Sequence, residues 1–466
     1  MRFIITFLLI NFYLSSKANI TLPNILSDNM VLEQQTSAKL WGWGNPAEKV
    51  FITTSWNQET DSVKTDCNGK WQTTVKTPIA GGPYTITFKA TNSIVLKNIL
   101  IGEVWVCSGQ SNMEMNYYWG LPQMNEDLAT AYNASIRLFS VPKTTAQTPQ
   151  ENVRGNWEQC DSYSVKAFSA AAYYFGRKLS ETLHVPIGLI HSSWGGTPAE
   201  TWTPADIVAK DPVLNAASNR LTPSEAWPIT PGYTYNAMIA PLGNFSITGA
   251  IWYQGESNTG TAATYSQLLS SMIRAWRTLW NKEFPFYYVQ LASFKYGNNN
   301  IAALLREQQV KVLQVPKTGI IVINDLPVDT LDIHPKDKRD VGYRLANLAL
   351  TETYGKNVGG YLSPLYKSMV IIKNRIVLSF DNTAALTANG KKINGFFIAA
   401  SDQKFYPADA KIEGNKIIVW NKHVAQPVAV RYAFSNTAVG NVFSGEGLPL
   451  SPFRTDDWQI DTSAIK

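Results

Sequence analysis

Val104-Trp105-Val106-Cys107-Ser108-Gly109-Gln110-Ser111-Asn112-Met113-Glu114-Met115 joins an apolar run to a tight polar turn. The run reads as a buried strand, and the Ser-Gly-Gln word that ends it sets Ser111 just beyond the strand. A serine at a glycine-bearing turn is held clear of the sheet with its hydroxyl exposed. Its own backbone N–H then points at the atom that the hydroxyl attacks, as a nucleophilic serine requires. Taken alone, the same word also describes an ordinary polar strand end.

Three further strand-end segments bear on that choice. In Ile187-Gly188-Leu189-Ile190-His191-Ser192-Ser193-Trp194-Gly195-Gly196 an apolar run enters a Gly-Gly turn, where an uncovered backbone N–H can approach a ligand closely. In Gly249-Ala250-Ile251-Trp252-Tyr253-Gln254-Gly255-Glu256-Ser257-Asn258 a similar run ends in polar residues, and the Asn258 amide is a candidate oxyanion donor. The fourth, Ile320-Ile321-Val322-Ile323-Asn324-Asp325 through Asp329, Asp332 and His334-Pro335, bears on the base. The chain has only four histidines. His184 sits in a helix-end pattern, His191 lies inside a strand pattern, and His423 falls in a C-terminal turn. Only His334 combines a loop beyond an apolar strand with nearby carboxylates. Asp332 is nearest and Asp329 is the alternative, with Asp325 further off. Such a carboxylate fixes the imidazole tautomer and steadies the imidazolium.

Together the four segments resemble the SGNH hydrolase superfamily and, within it, the sialate O-acetylesterase family. Ser111, Gly196, Asn258 and His334 match the four blocks in chain order. The longer words GEVWVCSGQSNMEM, SSWGGTPAETW, WYQGESN and DIHPKDK match as well. Outside them the likeness extends to LSDNMVL, FSAAAYYFGRKL, GFFIAASDQKFYPADAKI and PFRTDDW, and so covers nearly all of the chain after its leader. One departure stands out. Many superfamily members carry Asp three residues before His, and here that position is Leu331.

The resemblance implies a serine esterase that removes O-acetyl groups from carbohydrates, O-acetylated sialic acids first. Acetylated plant polysaccharides such as xylan or xyloglucan are the alternative, and a non-catalytic carbohydrate-binding protein is a lower one. The implied site has Ser111 as nucleophile, His334 as base and Asp332 as its orienting acid. The Ser111 and Gly196 N–H groups with Asn258 form the oxyanion hole. Gln110, Gln254, Glu256 and Trp194 are candidate substrate contacts or second-layer hydrogen-bonding groups. Among the 15 Trp, Trp194 and Trp202 flank the Gly block and Trp119 follows the Ser block, which makes these three the candidate sugar-stacking rings. No metal or other cofactor is expected.

The expected fold class is α/β. A parallel sheet flanked by helices fills residues 99–356, with β-rich, sandwich-like regions at 19–98 and 357–466. The hydrolase part alternates strand patterns with helix patterns at Ser169–Leu183, Tyr265–Trp280 and Ala302–Leu313, which favours a site at the strands' carboxyl ends. In the N-terminal region Asn68-Gly69 signals a hairpin. The C-terminal region is expected to share a sheet or an interface with the N-terminal one. Cys67, Cys107 and Cys160 have no metal-ligand spacing, and any disulfide among them is left open.

Residues 1–18 combine Arg2, an apolar run and small residues at Ser16 and Ala18, a secretory-leader pattern with cleavage before Asn19. The apolar run is shorter than the ~20 residues that span a membrane. Without Arg2 and Lys17 the net charge is about +4, too mild for a nucleic-acid surface. The mature form is therefore expected in the periplasm or secreted, with an acetylated carbohydrate as partner and neither nucleic acid nor membrane. N-terminal sequencing of the protein from an envelope or culture fraction should start near Asn19; an intact, membrane-embedded product would contradict the leader.

Overall fold

The computed structural model describes residues 19–297 and 300–460, so the expected leader lies outside the described residues. A seven-stranded path forms the centre. Its order is Thr318–Ile321, Phe286–Val289, Gly249–Tyr253, Ser93–Gly109, Ile187–Ser193, Asn133–Ser140 and Trp157–Cys160. Every neighbouring pair is parallel except the last. Helices cover both faces, which is why these strands read as near-continuous apolar runs without alternation. On one face Ala170–Leu183 and Lys338–Glu352 pack their buried sides together. On the other, Tyr265–Trp280 buries Leu268, Leu269, Met272, Ile273 and Trp276. Each such side chain contributes about 1.5–3 kcal/mol by leaving water.

The expected helices occur within a few residues of their predicted bounds. Ser169 is the N-cap of Ala170–Leu183, accepting from Ala172 N, and His184 closes that helix in the left-handed region. A helix also forms at Ile301–Lys311. Among the described residues, no helix is long and apolar enough to cross a membrane.

The strand Ser93–Gly109 is 17 residues long and runs through the expected boundary at 98/99. Its first half pairs with the N-terminal strands Val31–Glu33 and Gly81–Lys89, and its second half with the hydrolase strands. The N-terminal β region and the hydrolase sheet are thus continuous through one strand. The Asn68-Gly69 turn does not close a hairpin. Thr60–Lys64 pairs with Lys49–Thr54, whereas Lys70–Lys76 pairs with Ser37–Trp43, so the turn carries the chain from one sheet to another. Asp66 Oδ1 shapes it by accepting from Asn68 N and Lys70 N, both at 2.8 Å.

The C-terminal sheets have their own core, including Ile376, Leu378, Ile398, Val419 and Tyr432. Among the described residues they hydrogen-bond to the hydrolase region and share no sheet with the N-terminal strands, with which a shared sheet or interface was expected. Buried Arg306 donates to Ser435 O at 3.1 Å and Asn436 O at 2.9 Å, and Gln290 Nε2 donates to Ser451 Oγ at 3.0 Å. Arg454 pairs with Glu307, and Arg431 with Asp456 at 2.7 Å. The terminal Arg-Thr-Asp-Asp word is therefore structural.

One glycine fixes where the central strand stops. Gly109 has φ +141°, and a Cβ there would lie 2.2 Å from Tyr253 O on the neighbouring strand. Gly109→Ala should destabilise the protein by at least roughly 1–3 kcal/mol, read by chemical denaturation. An unchanged midpoint would mean that the strands separate there without cost.

Candidate active site

Ser111 opens the short helix Ser111–Glu114 directly after the central strand. Met113 N and Glu114 N donate back to Gln110 O at 2.9 Å, which leaves the N–H of Ser111 at the helix start without an acceptor in the helix. His334 arrives from a loop 223 residues away. Its Nε2 lies 3.0 Å from Ser111 Oγ, within hydrogen-bond reach. The imidazole is half-buried and edge-on to Trp119, with ring centroids 5.3 Å apart.

Burial lowers the basicity of His334 below the usual histidine value, and the Lys338 ammonium adds to that, while Asp332 acts against it. The imidazole is therefore neutral at neutral pH, ready to accept a proton. Of the three acidic candidates, Asp332 is the one beside it. Its Oδ1 stands 3.7 Å from His334 Nδ1, beyond a hydrogen bond, and accepts from the His334 backbone N at 2.9 Å. Its Oδ2 is 3.5 Å from Lys336 Nζ. Asp329 is exposed and accepts from Leu331 N, and Asp325 is held bidentately by Arg344.

The Gly-Gly turn lies against the nucleophile. Trp194 N donates to Gly109 O at 3.1 Å, and Gly195 N donates to Glu114 Oε2 at 2.6 Å. A Cβ at Gly195 would sit 3.3 Å from Ser111 Cβ. Gly196 has φ +81°, and a Cβ there would fall 2.2 Å from Trp227 Cδ2. Among the described residues, the Gly196 N–H has no protein acceptor, while its carbonyl accepts from Ser257 Oγ at 2.8 Å.

Asn258 departs from its expected role as an oxyanion donor. Its side chain is fully buried, and its amide donates to Glu200 Oε2 at 2.8 Å and Thr261 Oγ1 at 3.2 Å. Its Oδ1 accepts from Ala199 N and Gln254 Nε2. Both amide hydrogens are thus used inside the protein, bracing the chain after the Gly-Gly turn. The expected substrate contacts of Gln110, Gln254 and Glu256 change in the same way, because all three side chains are buried. Gln110 Oε1 bonds weakly to Gly255 N and Ser257 N. Gln254 also bonds to Thr197 O and to the Tyr265 hydroxyl. Glu256 accepts from Asn112.

The tryptophans divide by burial. Trp202 belongs to the core and donates to Thr197 Oγ1 at 2.9 Å, and Trp194 is half-buried beneath the turn. Trp119 and Trp227 remain 38% and 37% exposed, one beside His334 and the other over Gly196. Trp227 was not singled out by sequence because it lies in an aperiodic Pro- and Ser-containing loop. Asn112 and Lys338, which bond beside the nucleophile, were quoted within matching words without a role. His191 Nε2 lies 2.5 Å from Ser193 Oγ, and burial with the Lys143 charge lowers its pKa to about 4. Its partner serine is buried within the sheet.

All three cysteines are free, Cys67 exposed and the other two buried, and burial pushes the Cys160 thiol up to about 12. Among the described residues, no group of three or more His, Cys, Asp or Glu could hold a metal ion.

Residues 101–351 match the family model described as carbohydrate esterase, sialic acid-specific acetylesterase. The chain belongs to this family. It is accordingly a carboxylic ester hydrolase acting on acetylated carbohydrate. The sialate O-acetylesterase of Pongo abelii is 31% identical over 88% of this chain and 86% of its own. That of Homo sapiens is 31% identical over 76% and 75%. A crystal structure of a carbohydrate acetylesterase from Xanthomonas citri superposes with a TM-score of 0.86 at 36% identity, covering 94% of this chain and all of that one.

The charges around His334 give a pH prediction. Its lowered pKa places the acid limb of kcat/KM below 6.5. Asp332→Asn removes an anion that favours the imidazolium, so the limb should move further down. At 3.7 Å the loss in kcat should stay well below the roughly 10⁴-fold typical of a directly bonded triad acid. A limb that moves up, or a loss of that full size, would contradict this geometry.

Proposed function

We propose that this esterase removes acetyl groups from O-acetylated sialic acids through an acetyl-enzyme on Ser111. The 3.0 Å contact between Ser111 Oγ and His334 Nε2 carries the reading. Ser111 Oγ attacks the acetyl carbonyl carbon while His334 takes its proton. The oxyanion forms against the N–H groups of Ser111 and Gly196. Collapse expels the sugar oxygen, which receives the proton from His334. A water then attacks the acyl carbonyl with His334 again as base, and acetate leaves with Ser111 restored. One such oxyanion donor is worth roughly 10²–10³-fold, and a positioned base roughly 10²–10⁴-fold. Asp332 steadies the imidazolium by charge, and through the His334 backbone it shapes the loop.

Sialic acid as the substrate is supported by the names of the family and of its vertebrate relatives. The partly exposed rings of Trp119, beside His334, and Trp227, over Gly196, suit a sugar ring, whose apolar face packs on indole. The secretory-leader pattern of residues 1–18 supports action in the periplasm or after secretion.

Ser111→Ala should lower turnover of both p-nitrophenyl acetate and an O-acetylated sialic acid by at least about 10³-fold, with the fold retained by circular dichroism. Wild-type enzyme should release acetate from the acetylated sialic acid faster than from acetylated xylan fragments. Substantial turnover in a folded Ser111→Ala protein would overturn the nucleophile. A preference for xylan would overturn the substrate.

A further inference from the structure

Asn112, the residue after Ser111, ties together three distant segments. Its Nδ2 donates to Glu256 Oε1 at 2.5 Å and to Ile333 O at 3.1 Å. Its Oδ1 accepts from Lys338 Nζ at 2.6 Å. One fully buried amide thus joins the turn after Gly249–Tyr253, the residue before His334 and the start of the helix Lys338–Glu352. His334 itself belongs to no helix or strand, so the bond to the Ile333 carbonyl tethers the base beside the nucleophile.

The two charged members are placed at a cost in stability. Lys338 has no exposed surface and is the first residue of its helix, where the helix dipole disfavours a cation. Its ammonium also lies 4.9 Å from the centroid of the Tyr253 ring. Glu256 is buried as well, and its Oε2 has no hydrogen-bond partner among the described residues. Among the described residues the two meet only through the Asn112 amide, so replacing both by neutral groups of similar volume removes two buried charges that no direct ion pair offsets. Stability therefore gives little reason for this arrangement, whereas its position beside Ser111 and His334 does.

We propose that the Asn112–Glu256–Lys338 cluster holds His334 against Ser111 and sets the electric field at the imidazole, making Glu256 and Lys338 positioning residues of the reaction. The inference rests on the Ser111–His334 reading given above. Around the imidazole the charged groups are Lys338, Asp332 and Lys336. Those facing Lys338 are Glu256, Lys336, Asp332 and Asp337. Burial lowers the Lys338 pKa to about 7 and raises that of Glu256. Across the acid limb of His334, below 6.5, Lys338 is mainly protonated and disfavours the imidazolium. The Lys338 charge thereby adds to burial in keeping His334 neutral and able to accept the Ser111 proton.

The test compares Lys338→Met with the double variant Lys338→Met/Glu256→Gln, which removes both buried charges at similar volume. In the double variant the thermal midpoint should hold or rise. Its kcat for p-nitrophenyl acetate should fall at least about ten-fold with KM little changed, since a displacement of ~1 Å at a reacting pair can cost 10²-fold. The acid limb of kcat/KM should also move up, because a cation beside the imidazole is gone. Lys338→Met should show the same upward limb with a lower midpoint, because the buried Glu256 carboxyl loses its nearby cation. A stable double variant with wild-type kcat and an unmoved limb would overturn the proposal. So would a double variant that does not fold, since the pair would then serve stability. Ser111→Ala in the same assay separates the two readings. If it is inactive, a negative result counts against the cluster alone; if it turns over, the Ser–His reading itself has failed.

Discussion

The three-strand register at the centre of the sheet is the constraint on which the site depends. Gly109 at the end of the central strand pairs with Ser193 on one side and Tyr253 on the other, all three parallel. Backbone hydrogen bonds thereby stop three strands at one level, and the residues that follow each stop meet at one edge. They are Ser111, the Gly195-Gly196 turn and the Gln254–Asn258 turn. A shift by one residue would turn every side chain of a strand to the opposite face. The close approach of Gly109 to Tyr253 O and the bond from Gln110 N to the same oxygen at 3.0 Å act against such a slip. Parallel strands need their connections on the faces, so the helices that bury those strands also leave this edge open to a ligand.

The base enters differently. It comes from a loop beyond the far edge strand, where no ladder fixes its position, and side-chain bonds do the work that the register does elsewhere. Asn112 reaches the Ile333 carbonyl, Asp332 takes the His334 N–H, and Pro335 disfavours a helical conformation at His334 itself. The result is polarity concentrated in a dry place. A neutral imidazole, a buried ammonium and a buried carboxylate lie around one serine, where low dielectric strengthens each of their interactions. Hydrogen bonds orient the nucleophile and base, while burial first and the Lys338 charge second keep the base neutral.

Much of this was legible in the sequence because the parts that register controls are written in short apolar runs and their terminating words. The four strand-end segments and the helices at Tyr265–Trp280 and near Ser169–Leu183 follow that pattern. The side-chain bonds were not legible. Nothing local says that the Asn258 amide turns inward to Glu200, because burial of that carboxylate is a property of the packed fold. The same holds for Gln110, Gln254 and Glu256, which read as polar loop residues and are internal braces. Asp332 was placed beside His334 by proximity in sequence, but the turn directs its oxygen to the backbone N–H and not to the ring. Trp227 gave no signal because its contact with Gly196 is made across 31 residues of loop and short helix, without a period. The long central strand likewise crosses the 98/99 boundary, which the change from strand patterns to alternating strand and helix patterns had marked as a domain edge.

The central claim is that Ser111 forms a covalent bond to the acetyl group with His334 as its base. A rapid-quench single turnover with an acetylated substrate, followed by peptide mass mapping, tests it directly. One acetyl group should appear transiently on the peptide containing Ser111 and decay as acetate is released. An acetyl group on another residue, or acetate released at full rate with no acetylated peptide at any time, would contradict the account.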